Sequence, residues 1–92
     1  MPERHVLVRW PDGAAQRVYS PSTIVEEFFT AGQRMPVDEF VDRARQALGI
    51  ASDRVKAAYG YPCGRAARSI AFVEARAACQ PAGDVVVEGI EA

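Results

Sequence analysis

The sequence predicts an α+β fold, in which an N-terminal β-hairpin and a C-terminal strand form a small antiparallel sheet packed by three or four helices on one face. Three observations carry that expectation. Two strand-forming runs flank Pro11-Asp12-Gly13, a three- and four-residue apolar spacing runs through the middle of the chain, and Asp84-Val85-Val86-Val87-Glu88 closes it.

His5-Val6-Leu7-Val8-Arg9-Trp10 is rich in strand formers and places Val6, Val8 and Trp10 on one face. Pro11 presets one turn dihedral and Gly13 accepts a positive φ, so Gln16 to Tyr19 returns antiparallel. Ser20-Pro21-Ser22-Thr23 then opens a helix. A hydroxyl can cap free backbone N–H groups, Pro suits a first turn, and Glu26-Glu27 suit the positive helix start. Ile24, Val25, Phe28 and Phe29 form its apolar face, Gly32 ends it, and Gln33 to Pro36 reads as a connector.

From Val37 onward, Phe40, Val41, Ala44, Leu48, Ala51, Val55 and Ala58 recur at helical steps. Gly49 either stops this helix, with Ser52 capping a second one, or is carried inside a continuous helix at a cost of about 1 kcal/mol. Tyr59-Gly60-Tyr61-Pro62-Cys63-Gly64 breaks the pattern. Arg65 to Cys79 resumes as an alanine-rich helix with Ile70, Val73 and Ala77 aligned. Pro81 to Asp84 is a turn before the closing strand, which is expected to join the hairpin as a third strand.

At 92 residues one domain, 1–92, is expected, and 49% apolar with 25% charged residues is the balance of a globular chain. Eleven basic against twelve acidic residues leave a net charge of −1, which disfavours nucleic acid and an anionic membrane as partners. The start of the chain shows neither a signal-peptide core nor a membrane span, so a cytoplasmic location is expected. Cys63 and Cys79 lie near opposite ends of one helical segment, about 24 Å apart at the helical rise, whereas a disulfide needs Cα atoms within about 7 Å. Two free thiols fit a reducing compartment.

Cys63 is the weak candidate nucleophile: it precedes a helix, facing its positive end, with Arg65 and Arg68 close behind. Its ordinary reading is a small buried hydrophobe. His5, the only histidine, has nothing local to orient it, and no cysteine or histidine spacing resembles a metal site, so no catalytic residue, metal or cofactor is assigned. Glu26, Glu27, Asp38, Glu39 and Asp42 are explained by dipole compensation and by pairing such as Glu39 with Arg43. Arg65 and Arg68 are spaced to grip a carboxylate or phosphate, against the commoner role of a solvated helix face. Trp10, Tyr19, Tyr59 and Tyr61 suit a pocket or interface, although in so small a chain aromatics are more often core. The ligand- or partner-binding candidates are therefore Trp10, Tyr61, Cys63, Arg65 and Arg68.

At Arg9-Trp10-Pro11-Asp12-Gly13, Tyr19-Ser20-Pro21-Ser22, Ala51-Ser52-Asp53-Arg54-Val55 and Tyr59-Gly60-Tyr61-Pro62-Cys63 the chain resembles a small bacterial nitrogen-starvation-response protein family. The resemblance implies a gene cluster that also encodes a nitrilase, a radical-SAM protein, an acetyltransferase and a flavoprotein, and a link to nitrile or cyanide nitrogen. It implies no reaction. It also implies a hydroxyl residue after the cysteine, where this chain has Gly64.

Three readings follow. The first is an accessory or binding protein that contacts a cluster-encoded enzyme or holds a small metabolite. The second is a thiol-dependent enzyme or carrier using Cys63. The third is a homo-oligomeric subunit, such as a homodimer, pairing through Val85 to Val87 as an uncovered edge strand.

Overall fold

A computed structural model describes residues 2–92. The elements in chain order are β1 (Arg4–Arg9), β2 (Ala15–Ser20), α1 (Val25–Phe28), β3 (Arg34–Pro36), α2 (Val37–Tyr59), α3 (Gly64–Ala77) and β4 (Asp84–Glu91). The fold is α+β, as the sequence predicts, with a four-stranded antiparallel sheet in the order β2-β1-β4-β3.

The hairpin forms as expected, with Gly13 at φ 90° and its N–H donating to the Trp10 carbonyl at 2.9 Å. Alternation then sets the core. Val6 and Val8 of β1, Val18 of β2 and Val85 and Val87 of β4 are buried on the sheet face covered by the helices. Each such side chain contributes about 1.5–3 kcal/mol. Trp10 sits among them, its ring edge-on to Phe40 of α2 with centroids 5.3 Å apart. Between Leu7 and Val8 the β1–β4 register shifts, leaving Glu88 without a partner across the ladder and free to accept from Arg9 Nε at 3.0 Å.

Several expectations are corrected. The sheet has four strands because Arg34–Pro36, read from the sequence as connector, pairs with Asp84–Val86. Three residues that include Pro36 carry too little pattern to announce a strand; burial of Met35 against Val85 supplies what pattern does not. β4 therefore lies between β1 and β3, and Val85 to Val87 is not an edge. The edges are β2 and β3.

The first helix is one turn, ending at an extended Phe29 rather than at Gly32. Phe29 is needed in the core, 5.4 Å from the Phe40 ring, and the chain extends to deliver it. The hydroxyls before this turn do hold backbone groups: Ser20 Oγ donates to the Ser22 carbonyl at 2.7 Å, and Ser22 Oγ accepts from the Ile24 N–H at 3.3 Å. Arg54 of α2 also donates to Ser22 Oγ, at 3.0 Å.

α2 runs unbroken through Gly49, which settles the alternative left open by the sequence. Ser52 consequently caps no helix; its Oγ accepts from the Cys63 N–H at 3.4 Å instead. Phe40, Val41, Ala44, Leu48, Ala51 and Val55 are buried as the periodicity predicts, whereas Ala58, in the last turn of α2, is exposed. Gly60 at φ 87° ends the helix, donating to the Lys56 carbonyl at 2.8 Å. α3 returns beside α2 on the same sheet face, with Ala66, Ser69 and Val73 buried and Ile70 and Ala77 partly so. Arg45 of α2 pairs with Glu74 of α3. No helix among the described residues is long and apolar enough to cross a membrane.

Candidate functional site

The first turn of α3 is fixed by Cys63, whose Sγ accepts from the Ala66 N–H at 3.4 Å and acts as the N-cap. This half-buried thiol is free, and the exposed Cys79 beyond the other end of α3 is free too. From that turn the Arg65 guanidinium reaches the edge strand and lies 3.8 Å from the centroid of the Tyr19 ring, with Glu3 3.8 Å from its Nη1. Tyr19 also packs edge-on to His5, directly across the ladder, with centroids 5.7 Å apart. Partial burial raises the Tyr19 pKa above the ordinary tyrosine value, and the Arg65 charge opposes that shift. His5 Nδ1 is buried with no hydrogen-bond partner among the described residues.

Along the rest of α3 the space between the helix and β2 is an open groove in two continuous parts. The part nearer Tyr19 holds about 220 Å³ and is lined by Arg65, Arg68 and Ser69 of α3 facing Val18 and Tyr19 of β2. The other holds about 620 Å³ and continues past Ala75, Arg76 and Cys79 to Asp12. Gln16, Arg17 and Phe72 line both. Four arginines thus face one carboxylate. Arg17 pairs with Glu91 at 2.6 Å and Arg65 with Glu3, while Arg68 and Arg76 form no ion pair among the described residues. The lone carboxylate, Asp12, is engaged by the Ala14 N–H at 2.9 Å and by Gln80 Nε2 at 3.2 Å. Its pKa is lowered, first by that backbone hydrogen bond and further by Gln80 and Arg76. Phe72, 59% exposed, adds an apolar step between the arginines.

The crevice between α2 and α3, about 410 Å³, differs in kind. Its Arg45 is taken by Asp42 and Glu74, so no net positive charge is left there for a ligand.

Of the residues singled out from the sequence, Arg65 and Arg68 meet in the groove and Cys63 stands at its end as the cap of the helix that carries them. Trp10 does not join them: it is 2% exposed, and its Nε1 donates to Gln16 Oε1 at 2.9 Å. Tyr61 lies in the α2–α3 loop and, like Tyr59, is exposed rather than core. Glu39 pairs with Arg43 at 3.4 Å, as the spacing predicts. His5 and Cys63 are not hydrogen-bonded to each other, and the described residues contain no group of three or more histidine, cysteine or carboxylate side chains placed to hold a metal.

Arg17 and Phe72 were not legible as site residues. The available signal was a stripe: Arg65, Arg68, Phe72 and Arg76 recur at steps of three and four on α3, and Arg17 alternates with Tyr19 on β2. Only the fold brings the stripe to the edge strand.

No curated protein and no solved structure matches the chain. A family model described as "Nitrogen starvation-induced protein NitG" matches residues 5–90, and the chain therefore belongs to that family.

Proposed function

We propose that this chain is a cytoplasmic, non-catalytic accessory protein of the nitrogen-starvation response, which binds an enzyme acting on nitrile- or cyanide-type nitrogen. The observation that carries the reading is the open groove along β2 and α3, where four arginines face the single carboxylate of Asp12 and Arg68 stands without an acidic partner among the described residues. A guanidinium-rich groove beside an exposed aromatic is what a protein-binding surface uses, since Arg and aromatic residues dominate interface energies. Membership of a nitrogen starvation-induced family supplies the physiological setting. The nitrile branch rests on the motif resemblance alone.

The test is affinity capture of tagged protein from nitrogen-starved cells, with Arg68→Glu and Cys63→Ser baits in parallel. The expected result is recovery of a nitrile-converting enzyme, reduced by Arg68→Glu and unchanged by Cys63→Ser. Turnover of a nitrile by the purified chain alone would overturn the reading.

A further inference from the structure

We infer that the free edge of β2 takes up an extended acidic segment of the partner protein as a fifth strand; this rests on the accessory reading above and names the form of its partner. Trp10 N–H donates to the Ala14 carbonyl at 2.9 Å, and the register pairs Val8 with Gln16 and Val6 with Val18. In an antiparallel ladder hydrogen-bonded pairs alternate, so Gln16, Val18 and Ser20 bond to β1 while Ala15, Arg17 and Tyr19 turn their N–H and C=O groups outward.

The sheet protects its two edges unequally. β3 has three residues, one of them Pro36, which has no N–H to offer. β2 has six residues and no proline, and its ladder with β1 contains no bulge. It is the edge left open for strand addition, with only the exposed Arg65 side chain, among the described residues, lying over it at Tyr19.

Charge selects the occupant. A strand laid beside β2 enters the groove, and its alternate side chains meet Arg68, Phe72 and Arg76 on the α3 side or Arg17 on the other. Glutamate or aspartate at alternate positions meets Arg68, which has no acidic partner among the described residues, and Arg76, whose acidic neighbour in the groove is Asp12, already engaged by the Ala14 N–H and Gln80. A second copy docked β2 to β2 would instead bring its own arginine-rich groove, Arg68 foremost, against the same residues, and like charges across a ladder are unfavourable. The partner segment is therefore acidic and is not the β2 strand of a second copy.

The experiment titrates the isotope-labelled protein with a pool of peptides of about ten residues, having Glu at alternate positions and the others randomised. Controls are the same pool with Lys for Glu and the Glu pool with N-methylated backbone. Amide exchange at Ala15, Arg17 and Tyr19 is expected to slow at least about tenfold with the Glu pool only. Changing Arg68→Glu together with Arg76→Glu, both exposed helix positions, is expected to weaken Glu-pool binding at least about tenfold while leaving the free protein's spectrum folded. Equal binding of the Lys pool, retained binding of the N-methylated pool, tighter binding of a single-stranded oligonucleotide, or self-association through β2 would each overturn the inference. If an enzyme is captured from cells and the three amides still exchange as in the free protein, strand addition fails and the accessory reading stands. If the Glu pool protects the edge and no enzyme is captured, the reverse holds.

Discussion

The guanidinium of Arg65 lies over the ring of Tyr19, 3.8 Å from its centroid, and so joins the first turn of α3 to the edge strand of the sheet. The contact closes one end of the groove. It also couples a cation to a tyrosine whose pKa burial has already raised.

Tyr19 ionises less readily in the folded chain than in the unfolded one, so its contribution to stability is complete below the unfolded tyrosine value of about 10 and is lost as pH rises through the higher folded value. Arg65 works against the burial term. Replacing Arg65→Gln is therefore expected to move the Tyr19 titration further up. Tyrosinate absorbance, measured in a Tyr59→Phe, Tyr61→Phe background, reads this directly; a downward move would contradict the contact.

Ser22 is 1% exposed, and its Oγ serves both the Ile24 N–H and Arg54. Ser22→Ala leaves the Ile24 N–H without that acceptor in the interior and removes the partner of the exposed Arg54. A loss of about 1–3 kcal/mol is expected in urea unfolding. No measurable loss would mean that the turn before α1 is held by packing alone.

Gly49 sits inside α2 with nothing within 4 Å of where a Cβ would stand. Gly49→Ala should then stabilise the protein by about 0.5–1 kcal/mol, through the lower backbone entropy of the unfolded chain. Destabilisation would place an unseen neighbour at that face of the helix.

Cys63 caps α3 through a thiol, where a hydroxyl is the better acceptor. Cys63→Ser is expected to be at least as stable as the native chain. Cys63→Ala is expected to fall below Cys63→Ser by about 1 kcal/mol in thermal unfolding. Equal stability of the two variants would remove the capping role.

Where local pattern and tertiary burial agree, the fold was legible. Val6, Val8 and Trp10 alternate and all are buried, and Phe40 to Val55 repeat at helical steps and face the core. β3 was not legible, because three residues ending in Pro36 carry no period of their own, and the helix expected after Ser20 to Thr23 forms but stops after one turn, an end that local pattern did not give. Their form is imposed by Met35 and Phe29 filling the core. The site divides the same way. Arg65 and Arg68 announce themselves on one helix, but Arg17 becomes a neighbour only when β2 is an edge and α3 lies along it, a relation between segments about fifty residues apart that no local pattern encodes.

The measurement closest to the central claim is growth of cells lacking this chain, with a nitrile as sole nitrogen source, after restoring it as Cys63→Ser or as the Arg68→Glu, Arg76→Glu double variant. The account expects Cys63→Ser to restore growth and the double variant to fail while accumulating to normal levels. Growth supported by the arginine variant and abolished by Cys63→Ser would contradict it and assign the function to the thiol.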